Sequence, residues 1–272
     1  MSAVEEKYVL PALRRPFPLS TGVARVTKIT TVTPQMACLT LHAETLDGFP
    51  VEQPGEVVTL LWPAEGEELV LPEVGWRFAN GAGERQHARN YTVRRCRAEQ
   101  GEIDIDFFLH GKLGPAAKWA EEVSVGDEVG YAGPRLHWTA DRDHDAQWSL
   151  LVADETGLPG VLAIAEHLPP GHRVIAIVEV AGPQEEQAPH ACRCDLDLRY
   201  VHRGDAPPGK STAIIDALRA LALPQGQGRV WGGGEALVMR DARRHLTGER
   251  GLASRDVALQ GYWKHRDTPE WD

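Results

Sequence analysis

Long apolar runs are missing from this chain. Its 272 residues contain no stretch near the roughly 18 apolar residues that a membrane-spanning helix needs. Cysteine is scarce. The four present, Cys38, Cys96, Cys192 and Cys194, do not form a disulfide framework, and a reducing cytoplasm is the expected setting. Positive charge is in deficit, with 29 Lys and Arg against 39 Asp and Glu and a formal net charge of −10. That excludes a general nucleic-acid binder, which needs a basic face, but allows a small anionic ligand in a local basic pocket. The opening MSAVEEKYVLPALRRPF carries acids before any apolar run and does not read as a secretion signal. Internal repeats and low-complexity segments are also missing.

What is present is enough for ordinary buried cores: 42% of the residues are hydrophobic. At about 150 residues per domain, the length suggests two domains. Residues 23–140 read as β. VARVTKITTVT, MACLTLHA, EVVTLLW, RNYTVRRC, GEIDIDFFLH and DEVGYAG are short runs rich in Val, Ile and Thr, punctuated by Gly, Pro and Asp. Such a series predicts an antiparallel barrel of six strands, with one helical insert, GPAAKWAEEV, starting at Pro115. From residue 147 the rhythm changes. WSLLVAD and RVIAIVEVAG are continuous apolar runs, as buried parallel strands are, and LPGVLAIAEHL and STAIIDALRALAL read as helices. GRVWGGGEALVMRDARRHLTGER reads as strand, glycine turn and helix, and DVALQGYWK as a last strand. Alternation of strand and helix implies a doubly wound parallel sheet. The expected domains are a β-barrel over 20–142 and an α/β domain over 146–266, separated in the charged stretch Asp141–Asp145.

One stretch invites a different reading. GDAPPGKST, Gly204 to Thr212, fits the phosphate-loop pattern G-x-x-x-x-G-K-[ST]. That loop works through backbone N–H groups aimed at phosphate. Pro207 and Pro208 fill its last two variable places and have no N–H to offer. LLVADE, which could supply a metal-holding Asp, lies upstream of the loop instead of downstream. The stretch therefore reads as a turn entering a helix over 211–223, with Ser211 or Thr212 as N-cap, and not as a nucleotide triphosphatase. Lys210 remains a candidate contact to a nucleotide phosphate. A second stretch, HACRCD, spaces His190, Cys192 and Cys194 on alternate positions. They read as metal ligands or as one face of a strand. No second cysteine pair follows to complete a tetrahedral set, and no metal is expected.

The strongest chemistry lies in ARNYTVRR. Strand alternation puts Arg89 and Tyr91 on one face. An Arg fork grips a pyrophosphate bidentately, a Tyr ring can lie flat on an isoalloxazine, and Thr92 can hydrogen-bond flavin N5. About 20 residues on, DFFLHGKLGPAAKWA ends a strand at His110, turns at Gly111 and Gly114 and begins a helix at Pro115. The free N–H groups around Ala116 and Ala117 form an anion site at a helix N-terminus.

These two segments, with GYAGPRLHW, LLVADETGLPGVLAIAEHLP, VWGGGEALVMRDARRHLTGERGL and GYWK, resemble the siderophore-interacting protein family of FAD-dependent ferric-siderophore reductases, over Val23 to Lys264. The resemblance implies a ferredoxin-reductase-like fold, with FAD as cofactor and NADH, NADPH or a ferredoxin as donor. It places FAD on Arg89, Tyr91, Thr92, His110, Gly114, Pro115, Ala116 and Ala117, the last standing where the family often has Ser. It places the nicotinamide side on Asp154, Thr156 and Gly157, within the turn Asp154-Glu155-Thr156-Gly157-Leu158-Pro159, on Gly233, Gly234 and Glu235 in Gly232–Glu235, and on Trp263, with Tyr262-Trp263 near the flavin face. Gly233 and Gly234 would let the backbone approach a ligand. Arg135 and Lys264 would hold the anionic ferric siderophore. No residue is assigned as catalytic, since the flavin carries the chemistry. Two other classes are a flavin oxidoreductase with a non-siderophore acceptor and a siderophore-binding protein without turnover.

Overall fold

A computed structural model of the chain describes residues 20–47, 49, 51, 54–110, 115–135 and 146–265. The first part is an antiparallel sheet of seven strands: β1 (Ser20–Thr33), β2 (Met36–His42), β3 (Val57–Pro63), β4 (Gln86–Thr92), β5 (Arg95–Arg97), β6 (Glu102–Phe108) and β7 (Glu128–Arg135). Their order is β4-β3-β7-β1-β2-β6-β5. Along β1 the burial alternates, with Ala24 and Val26 inside and Val23 and Arg25 outside, as a half-buried strand requires. Helix α1 (Pro115–Glu122) lies against β4 and β6, and β4 itself meets β6, so the sheet curls toward closure there. The expected single strand RNYTVRRC is two strands. At the break, Val93 still donates to Glu56 in the segment before β3, but Arg94 donates to Asp104 of β6. The chain leaves one partner for the other, and a seventh strand results.

The second part is a five-stranded sheet of β8 (Trp148–Ala153), β9 (Arg173–Val180), β10 (Asp195–His202), β11 (Gly228–Glu235) and β12 (Val257–Trp263), in the order β10-β9-β8-β11-β12. All four pairings are parallel. Every residue of β8 is buried because both faces are covered. Leu151 and Ala153 face a core with α2 (Leu158–His167). Trp148, Leu150 and Val152 face a core with α3 (Ala213–Ala220) and α4 (Ala236–Arg244). This is the doubly wound arrangement the rhythm predicts. Two details differ from expectation. The glycines of WGGGE are inside β11 rather than in a turn. His190, Cys192 and Cys194 precede β10 and are not one face of a strand.

The two parts are clamped together. Arg94, just past β4, forms a bidentate ion pair with Glu166 of α2 at 2.8 and 2.7 Å, with both side chains largely buried. Thr33 Oγ1 and the Gln35 N–H donate to buried Glu185 at 2.5 and 3.2 Å. Gly55 has positive φ, and a Cβ there would lie 3.3 Å from Ile164 of α2. The expected linker at 141–145 is outside the described residues. Among those described, no helix is long and apolar enough to cross a membrane.

Candidate functional site

Among the described residues, β4 is an edge strand with a strand partner on one side only. Its register pairs Arg89 with Leu60 and Tyr91 with Val58. Both partners belong to the barrel core, so Arg89 and Tyr91 share the inner face, as alternation predicts. Arg89 is nevertheless exposed, since the barrel is open there. Its Nη1 donates to the Ala88 carbonyl at 2.8 Å, and among the described residues no carboxylate pairs with it. Tyr91 is half-buried. Its ring rests on Phe107 with centroids 4.3 Å apart and lies edge-on to Trp62 at 6.5 Å. Burial raises its hydroxyl pKa. One side of this ring is therefore taken by the protein's own aromatics. Thr92 is buried at the end of β4, two residues before the Arg94 clamp. The C-terminal end of β4 thus runs up to the second domain.

α1 brings an anion site to the same place. It has no acidic residue in its first turn, so nothing there offsets the partial positive charge of the helix start. Ala116 is buried and Ala117 half-buried. His110 is exposed just past β6, with its ring 5.7 Å from Phe108. Gly111 and Gly114 lie outside the described residues. A fork cation without a carboxylate partner, a helix start without acids and an aromatic wall fit a dinucleotide carrying a pyrophosphate and a flat ring. A groove of about 470 Å³ lined by Trp76, Phe78, Gln86 and Ala88 is on the opposite face of β4 and is separate from this set.

The strand ends of the second domain are built differently. Asp154, immediately after β8, is buried and accepts four hydrogen bonds. Thr156 N–H and Oγ1 donate at 2.8 and 2.5 Å, Glu235 N–H at 2.9 Å and Trp263 Nε1 at 2.8 Å. Burial pushes its carboxyl up, and these donors pull the other way. The residue ties together the ends of β8, β11 and β12. Glu235 caps α4, accepting from Leu237 and Val238 N–H at 2.7 and 3.0 Å, and takes His265 N–H at 3.3 Å. The glycines serve packing. A Cβ on Gly233 would be 2.5 Å from the Tyr262 ring, and one on Gly234 would be 2.8 Å from Asp154 Oδ2. One on Gly157 would strike the Gly233 carbonyl. On the Cβ side of Gly233 and Gly234, the protein itself fills the space. In the turn itself, the N–H groups of Gly157 and Leu158 donate to the Asp154 carbonyl and those of Gly160 and Val161 to Gly157, while Pro159 has none. α2 consequently begins without open donors.

Further charged residues complete this edge, of which Arg203 and Glu179 were missed by sequence reasoning and Glu155 belongs to the predicted turn. Glu155 forms a buried ion pair with Arg203, which follows β10. Glu179 of β9 is buried and hydrogen-bonded by Ser211; burial raises both glutamates' pKa values. Both Glu155 and Arg203 come just after parallel strands, the rim where ligands of such sheets bind, and that position was the available signal. The phosphate-loop lookalike also arrives here. Gly209, at φ +74°, sits against Glu235 and Trp263, whose side chains a Cβ would meet at 2.7 and 3.1 Å. Ser211 Oγ accepts from Ala213 N–H at 3.0 Å at the start of α3, in keeping with a turn entering a helix. Arg135 is half-buried at the end of β7, where burial lowers its pKa. Lys264 is exposed just past β12. No group of three or more His, Cys, Asp or Glu is gathered to hold a metal among the described residues.

A curled antiparallel sheet joined to a doubly wound parallel domain is the fold of ferredoxin-reductase-like proteins. A ferredoxin NADP+ reductase from Neisseria gonorrhoeae superimposes over 90% of this chain and 99% of its own with a TM-score of 0.63, at 15% identity. Residues 25–138 match the siderophore-interacting FAD-binding domain and residues 146–266 the siderophore-interacting protein domain. A siderophore utilization protein from T. fusca is 33% identical, with 95% of this chain and 97% of that one covered and a TM-score of 0.81. An uncharacterized protein of Mycobacterium tuberculosis is 34% identical over 198 residues, 68% of each chain. Ferric vibriobactin reductase ViuB of Vibrio cholerae is 25% identical over 250 residues, 85% of each. The chain belongs to the siderophore-interacting protein family.

Proposed function

We propose that this protein is an FAD-dependent reductase of ferric siderophores, drawing electrons from NADH or NADPH, or from a ferredoxin, in the cytoplasm. The observation that carries the reading is the pairing of exposed Arg89 with the acid-free start of α1 on adjoining elements. Arg89 would grip the FAD pyrophosphate from one side and the N–H groups of Ala116 and Ala117 from the other, with His110, Gly114 and Pro115 as further FAD contacts. Tyr91 would wall the ring and keep water from it, with Thr92 as hydrogen-bond partner. When bound, FAD supplies the redox chemistry that the side chains lack. Across the domain junction, Thr156 and Trp263 are the candidates that remain for nicotinamide contact, held in place by Asp154. Gly157, Gly233, Gly234 and Glu235 would act on the donor side only by shaping this frame. Arg135 and Lys264 would draw in the anionic chelate, whose hard oxygen donors hold Fe²⁺ less well than Fe³⁺.

The test is anaerobic. The protein is loaded with FAD and given NADH or NADPH and then a ferric siderophore, and Fe²⁺ is trapped with a ferrous-specific dye. The expected result is dye-bound Fe²⁺ in proportion to nucleotide consumed. Reduction unchanged in both Arg135→Ala and Lys264→Ala would favour a flavin oxidoreductase with another acceptor. Chelate binding by protein that takes up no FAD would favour a binding protein without turnover.

A further inference from the structure

Two cysteines that this site does not use come within reach of each other. Cys192 and Cys194 flank exposed Arg193 in the segment that leads into β10. The segment curls, and the two sulfur atoms are 3.0 Å apart; a disulfide needs about 2.05 Å. Both thiols are free and half-buried against the core on the α2 side. Both donate to one acceptor, the Ala165 carbonyl of α2, at 3.5 and 3.4 Å. The next residue is Glu166, which holds Arg94 across the domain junction and accepts the His190 N–H from this same segment at 2.8 Å. The dithiol is therefore placed where closing it would act on the domain clamp.

We propose that Cys192 and Cys194 form a reversible intrachain disulfide, making this segment an exchange site for low-molecular-weight disulfides of the glutathione type. A Cys192 thiolate attacks one sulfur of R–S–S–R, the S–S bond of that disulfide breaks as the Cys192 S–S bond forms, and the leaving thiolate R–S⁻ takes up the Cys192 proton as RSH. The Cys194 sulfur then attacks Cys192, displacing the second R–S⁻, which takes up the Cys194 proton. Two protein thiols are oxidised and one small disulfide is reduced to two thiols, so electrons and protons balance. The order follows from the environment. Burial first, and the adjacent Cys192 sulfur second, raise the Cys194 thiol above its ordinary value. A raised thiol is less often the thiolate that initiates, so Cys194 is assigned the resolving role, and the Cys194→Ser variant tests that order. Closure draws the sulfurs about 1 Å together and takes both S–H donors from Ala165. A ring closed across a single residue is strained, and strained disulfides are the easily reduced ones, which makes the bond labile rather than structural.

The test uses the full chain as purified, reduced and then incubated with oxidised glutathione. Free thiols are alkylated under denaturing conditions, and intact and peptide masses are read. Two of the four cysteines should escape alkylation, with the mass lowered by two hydrogens and the bond mapped to Cys192–Cys194. Dithiothreitol should restore both thiols. In Cys194→Ser the reaction should stop at a glutathione adduct on Cys192. Alkylation of all four thiols, or a bond that maps to Cys38 and Cys96 or between chains, would overturn the proposal. The wild-type reading stands whether or not the variant folds.

Discussion

On β4, Arg89 reaches solvent with no carboxylate paired to it among the described residues, and α1 presents a helix start without acids. At the ends of β8, β11 and β12, the most polar residues spend their hydrogen bonds on one another. Asp154 takes four donors, Glu235 caps a helix, and Glu155 is paired with Arg203. Both regions carry strong sequence signatures. One is built as an open site and the other as a frame. A motif, then, is not by itself a list of ligand contacts. The question is whether its polar groups are already satisfied within the protein.

The largest effect expected from testing this contrast is at Asp154. Asp154→Ala would leave buried donors on three strand ends unmet, at roughly 1–3 kcal/mol for each unsatisfied group, and chemical denaturation should register a loss of several times the usual surface value. The clamp comes next. Glu166→Ala removes the bidentate partner of buried Arg94 and leaves Asp106 3.8 Å from it, so the loss should approach but not exceed the about 3–5 kcal/mol of a fully broken buried pair; unfolding followed by one probe in each domain should lose its coincidence. Arg89→Ala sharpens the contrast most. Its stability should stay within about 0.5 kcal/mol of wild type, while FAD affinity falls roughly 10- to 100-fold, the worth of a charge-assisted hydrogen bond, as read by fluorescence titration. Gly233→Ala should show the reverse, with a stability loss of about 1–3 kcal/mol from overpacking against Tyr262 and little change in FAD affinity.

The smallest effect concerns a self-satisfied group in the barrel. Burial works to raise the Asp104 carboxyl, but Arg97, at 2.7 Å to each oxygen, together with Thr40, brings it below its ordinary value. A depressed carboxylate adds stability above its unfolded pKa and loses it as pH falls through the folded value. Asp104→Asn should therefore lose less stability than wild type from about pH 4 downward, in urea melts at stepped pH. The contrast is thus between an open edge and a packed interior, not between two domains.

Period and punctuation made the architecture readable in the sequence. Continuous apolar runs at β8 and β9 and alternation at β1 gave the two sheets, and the family resemblance ordered them. The strand break at Val93–Arg94 was not readable, since it depends on which distant strand takes the next N–H. Nor was the placement of Gly232–Gly234 in a strand, because glycine signals a turn locally and only Val152, Tyr262 and Asp154, brought in from elsewhere, call for it here. In the candidate site, alternation alone put Arg89 and Tyr91 on one face. What Asp154 and Glu235 bind could not be read, because their donors arrive from residues about 80 and 110 positions away in one case and from the helix they begin in the other.

The most direct measurement of the central claim is an absorption spectrum of wild type and Arg89→Ala, each incubated with FAD and desalted. A flavin band retained by the wild type and lost from an equally stable variant is the predicted result. A wild type that holds no flavin, or a variant that holds it as firmly, would contradict the account.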